Sequence, residues 1–171
     1  VISVSGEAAT ATTISNLAVG TAVGLGTITN VSDLSGTVTM SLADETGTDD
    51  SLTVNAYESD ANATVTLAAT AIENVTVAFS TTDTTIGTAG ATDLTVSSLN
   101  ASKIIVTGGN ADTDNTLQLN TLDTETVTLD ASAYVGVLTA QGSASATRIT
   151  LAGDQAHDVT GGAANDTITM G

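Results

Sequence analysis

The run Gly161–Gly171, GGAANDTITMG, carries the most specific chemical signal in the chain. Gly161, Gly162, Asp166 and Ile168 fit the calcium-binding nonapeptide G-G-x-G-x-D-x-U-x, where U is a large aliphatic residue, and Ala164 stands at the third glycine. The chemistry of that spacing is cation coordination. Glycines let the backbone turn and aim carbonyl oxygens inward, Asp adds a hard anionic oxygen, and U starts the next strand into a core. Ca²⁺ takes roughly six to eight oxygen ligands in flexible geometry, which carbonyls and carboxylates from stacked turns can supply. Gly171 falls in register with the second glycine of a following repeat, so the sequence reads as an excerpt from a longer polypeptide. Asp154 and Asp158 precede the run and are candidates to complete a shell.

Two further clusters offer the same donor types. DETGTDD (44–50) supplies Asp44, Asp49 and Asp50, and GGNADTD (108–114) supplies Gly108, Asp112 and Asp114 at a spacing one residue off the nonapeptide. For each cluster the alternative is a plain polar turn, which Gly, Asn and Asp form without any metal. Neither an EF-hand loop nor a zinc spacing is present, and with no Cys there is no disulfide or thiolate site. Catalysis is not expected. A Ser-His-Asp arrangement would have to centre on His157, the single histidine, which lies in a polar loop. Lys103 and Arg148, the only cationic side chains, are too few to line a polysaccharide-cleaving groove.

The elements that position these clusters follow from composition and period. The chain has 171 residues, 19 Asp plus Glu, 2 Lys plus Arg and a net charge of −17. Such a charge repels nucleic acid and anionic lipid and attracts cations. No apolar run is long enough to span a bilayer. Phe79, Tyr57 and Tyr134 are the only aromatics, so a core must be built from Val, Ile, Leu and Ala. Thr and Val favour strands, and with no Pro the turns fall to Gly, Asn, Asp and Ser.

Self-similarity sets the architecture. In 93–109 and 116–132, Leu94, Val96, Leu99, Ile104 and Val106 match Leu117, Leu119, Leu122, Val127 and Leu129 at a constant offset of 23. Each copy is two short alternating strands joined by a bend that carries one inward Leu. Looser copies start at Val65 and Val137, and a fainter one lies at Ile28–Met40. Copies of about 19–29 residues have the length of one solenoid turn. The expected fold is therefore all-β, a parallel β-solenoid over 61–171, with 1–60 a less regular β region or cap. The alternative, an antiparallel β-sandwich, gives no reason for the offset.

The segments AIENVTVAF, ASKIIVTGG, TDNTLQLNTLDTETVTLDAS and GGAANDTIT make residues 65–171 resemble bacterial calcium-dependent surface-layer lattice proteins of the RTX-repeat kind. The resemblance implies a Ca²⁺-binding, self-assembling structural segment of an extracellular cell-surface layer, exported by type I secretion. Its partners would be neighbouring copies, with cell-surface polysaccharide engaged through another part of the parent chain. Only one nonapeptide lies near consensus, and an RTX-type adhesin stalk shares the same motifs. Thr-x-Thr strands such as Thr126–Thr128 and Thr167–Thr169 raise ice binding as a further alternative, although outward Thr is ordinary in strands.

Overall fold

A computed structural model of the chain describes residues 2–4, 11–25, 36–56, 63–69, 72–79, 94–96, 101–109 and 116–171. These residues form fifteen strands that alternate between two sheets. Sheet one stacks β1 (Ile2–Val4), β3 (Thr21–Leu25), β5 (Ser51–Ala56), β7 (Asn74–Phe79), β9 (Lys103–Gly108), β11 (Thr128–Tyr134), β13 (Arg148–Leu151) and β15 (Thr167–Met170), in that order. Sheet two stacks β2 (Ala11–Leu17), β4 (Gly36–Leu42), β6 (Ala63–Ala69), β8 (Leu94–Val96), β10 (Thr116–Thr121), β12 (Val137–Gln141) and β14 (Asp158–Thr160). Every pairing within the sheets is parallel, which excludes the antiparallel sandwich. A chain that moves to the next rung of each sheet once per circuit is a β-solenoid, and no helix occurs among the described residues.

The alternating pattern explains the winding. In β5 and β7 the residues alternate half-buried and buried, with Leu52, Val54, Val75 and Val77 inward. Parallel stacking places like on like: Leu52, Val75, Ile104, Leu129, Ile149 and Ile168 form one column. Its members are between 19 (Ile149 to Ile168) and 29 (Val75 to Ile104) residues apart, the repeat length expected from the sequence. Leu117, Leu119 and Leu138 from sheet two join the same core cluster. Each fully buried Leu or Ile contributes about 1.5–3 kcal/mol relative to exposure. Strands β1 to β5, drawn from the stretch where repeats are hardest to read, occupy the same two stacks.

The constant offset holds in only one sheet. Leu94 pairs with Leu117 and Val96 with Leu119. In sheet one, however, Ile104 lies beside Leu129 rather than Val127, and Val127 is 52% exposed. The bend between β10 and β11 is two residues longer than the alignment assumed. A slip of two preserves which face each side chain takes, so the alternation looks the same in either register. Leu122 is buried in that bend as expected, while its partner Leu99 and the faint copy at Ile28, Val31 and Leu34 lie outside the described residues.

Lys103, Thr128 and Arg148 stack in one outer column of sheet one, so the two cationic side chains do occupy equivalent rungs. Gly108 pairs with Tyr134 on one side and lies against the Phe79 backbone on the other. Its φ of 81° is left-handed, and a Cβ there would run into the Phe79 carbonyl oxygen. The missing side chain lets the two aromatic rings, from turns on either side, meet at 5.1 Å between centroids.

Candidate cation-binding corners

The acidic residues at 44–50 and 154–166 fall at or near corners of the solenoid. Where the chain enters sheet one, the corners from β5 to β15 are each fastened to the next by polar side chains. Glu73 Oε2 accepts the Asp50 backbone N–H at 2.9 Å, and Asn74 Nδ2 donates to Asp49 Oδ1 at 2.8 Å. One turn on, Ser102 Oγ donates to the Glu73 carbonyl at 3.0 Å. Buried Thr126 then donates to the Ala101 carbonyl at 2.8 Å, and Thr147 Oγ1 to the Thr126 carbonyl at 3.3 Å. The series ends at Asp166, whose Oδ1 accepts the Thr147 N–H at 2.8 Å.

At 161–171 the residues of the nonapeptide have structural work. Asp166 Oδ2 accepts the Gly162 N–H at 2.6 Å, so both carboxylate oxygens are engaged by peptide groups. Gly162 packs against the preceding turn so closely that a Cβ would strike the Ser143 carbonyl oxygen. Gly161 faces the Asp166 carboxylate, and Ala164 is half-buried. Asp154 and Asp158 are exposed, the latter in register with Thr139 on the outer side of sheet two. At 108–114, Gly108 and Gly109 both take positive φ, while Asp112 and Asp114 lie outside the described residues.

The 44–50 corner differs in one respect. Asp44 Oδ1 accepts both the N–H (3.1 Å) and the hydroxyl (2.6 Å) of Thr46. The hydroxyl bond first, and the N–H bond second, hold the Asp44 carboxyl below its ordinary range. Asp49 is exposed and holds Asn74. Asp50 is only 8% exposed, and its Oδ2 has no hydrogen-bond partner. Gly47 lies directly against that carboxyl, where a Cβ would collide with Oδ1. An orphaned, buried carboxylate oxygen fits a hard cation with an all-oxygen shell, because burying an uncompensated charge is strongly unfavourable. Among the described residues no three His, Asp or Glu side chains converge as metal ligands. A cation here would therefore draw on Asp50 and on backbone carbonyl or water oxygens.

His157 takes a structural position. Its Nδ1 accepts the Leu138 N–H at 3.2 Å, and Nε2 lies 3.1 Å from the Ala152 carbonyl, which assigns the proton to Nε2. With both ring nitrogens engaged, the imidazole ties a corner to β12. Glu73, Ser102, Thr126 and Thr147 escaped the sequence reading as corner residues. The available signal was their place just before an aliphatic of the Leu52–Ile168 column, which becomes visible only once the two-residue slip is corrected. Comparison with protein-family models, with curated proteins and with solved structures gives no match to this chain.

Proposed function

We propose that this chain is a structural segment of a secreted bacterial surface layer, self-assembling and stabilised by Ca²⁺ at its acidic corners. The observation that carries the reading is Asp50, a buried carboxylate with an unpartnered oxygen in a chain of net charge −17. Bound Ca²⁺ supplies the positive charge and the multidentate oxygen coordination that such a corner lacks. Asp50 contributes one ligand, and the Glu73 and Asn74 contacts hold the corner to the next turn. Ion binding then adds to folding free energy, because an unfolded chain has no such corner.

Copies of the chain are the proposed partners in assembly. In this reading the segment works outside the cell after type I export, performs no catalysis, and leaves attachment to cell-surface polysaccharide to another part of the parent chain. Electron microscopy of the purified chain tests it. Ordered arrays or filaments are expected in millimolar Ca²⁺ and not in chelator with matched Mg²⁺. Dispersed particles in both, or the same arrays in both, would count against it.

A further inference from the structure

The outer face of sheet two carries a groove of about 380 Å³ that crosses β10, β12 and β14. Two outward columns form its walls. Gln118, Thr139 and Asp158 stack in register along one side, and Thr121, Gln141 and Thr160 along the other. The groove opens where the β10–β12 register shifts between Gln118 and Thr121, a bulge that leaves Asn120 and Thr121 both exposed. Gln118 Nε2 donates to Asn120 Oδ1 at 3.3 Å, and Thr121 Oγ1 donates to Gln141 Oε1 at 3.0 Å. Neither bond uses the NH₂ groups of Asn120 and Gln141, which keep donors available beside the hydroxyls of Thr139 and Thr160.

We propose that this groove binds an uncharged, hydroxyl-rich glycan laid along the solenoid axis. Three features select that class. The walls present amide and hydroxyl groups, which both donate and accept, as sugar hydroxyls do. Rungs of a sheet repeat every ~4.7–4.9 Å, close to the length of one pyranose in an extended glycan, so successive sugars meet equivalent positions on successive turns. Asp158 is the only ionisable group in the lining, and with no Lys or Arg there and a net charge of −17 the groove repels acidic glycans and phosphate polymers. No aromatic ring lines it, so each sugar is held weakly and affinity grows with chain length. The groove lies on sheet two, away from the proposed cation site at Asp50 where the chain enters sheet one.

Side-chain amide NMR of the whole chain, titrated with uncharged α-1,4- and β-1,4-linked glucose oligosaccharides, tests it. The Gln118, Asn120 and Gln141 amides are expected to shift with at least one neutral hexasaccharide and not with hexagalacturonate. Affinity should rise from disaccharide to hexasaccharide. Gln141→Ala, an exposed change, should leave the melting curve in place and weaken binding about tenfold, the effect of one lost hydrogen bond of good geometry. Unmoved amides with every neutral sugar would overturn the proposal. So would equal shifts with the acidic one, equal affinity in Gln141→Ala, or binding of an extended uncharged peptide in preference to all glycans.

Discussion

Asp166 spans one turn of the solenoid: its Oδ1 accepts the backbone N–H of Thr147, nineteen residues earlier, while Oδ2 accepts that of Gly162 within its own loop. Hydrogen bonds to an ionised carboxylate are among the stronger ones, at about 1.5–3 kcal/mol each. Asp166→Ala should therefore lower stability by about 2–4 kcal/mol, and Asp166→Asn by less, since one acceptor oxygen remains. Urea denaturation measures both. Because the loss comes from peptide contacts, it should be the same in chelator and in Ca²⁺. A loss confined to Ca²⁺ would instead make Asp166 an ion ligand.

Gly108 and Gly20 separate backbone strain from crowding. Both take positive φ, 81° and 76°, but a Cβ at Gly20 meets open space while one at Gly108 meets the Phe79 carbonyl. Gly20→Ala should cost about 1–2 kcal/mol, the left-handed penalty alone. Gly108→Ala adds the collision and displaces Phe79 from Tyr134, for a total of about 3 kcal/mol or more. Equal losses in thermal denaturation would show that the close approach of the two turns is relaxed in solution.

Asp130 should give stability a pH dependence of known sign. Its Oδ1 accepts the Ser132 hydroxyl at 2.7 Å and the Ser132 N–H at 3.1 Å, across the bulge in β11. These bonds, with the Lys103 charge as a smaller contribution, hold the carboxyl below its ordinary 3.8. A carboxylate depressed in the folded state stabilises fully above its unfolded value and loses that contribution as pH falls through the folded one. Ser132→Ala should thus be less stable than the parent chain at pH 6, with the gap closing below about pH 4. A gap independent of pH would mean that the hydroxyl acts through packing alone.

His157 predicts a local effect. Replacing it with Ala leaves the part-buried Leu138 N–H without its acceptor, at a cost of about 1–3 kcal/mol. Hydrogen exchange at Leu138 should accelerate well beyond that of Leu129, which lies on the other sheet. Unchanged protection at Leu138 would remove the imidazole from the corner.

How much of this was legible in the sequence depends on what a residue's neighbours are. The inward row Leu117, Leu119, Leu129, Ile149 could be read directly, because a period of two assigns faces without knowing the partner strand. The slip that puts Leu129 rather than Val127 beside Ile104 could not, since the two share one alternation and only the stacked rungs show that Val127 falls in the bend before β11. The corners were legible as chemistry but not as contacts. Asp166 looks like a ligand by type and spacing, yet whether its oxygens meet a cation or two N–H groups is decided by a turn nineteen residues away. The orphaned oxygen of Asp50 and the Gln118–Gln141 groove exist only once the rungs are stacked.

Thermal melting of the parent chain and of Asp50→Asn, each in chelator and in about 10 mM Ca²⁺ at matched ionic strength, tests the central claim most directly. For an extracellular site of roughly 10⁻⁴–10⁻³ M affinity, that concentration stabilises by about 1.4–2.7 kcal/mol, or about 3–10 °C at this chain length. The account predicts that gain in the parent chain and its loss in Asp50→Asn, which in chelator should melt at or above the parent because a buried charge has been removed. The same rise in both chains, or none in the parent, would contradict it.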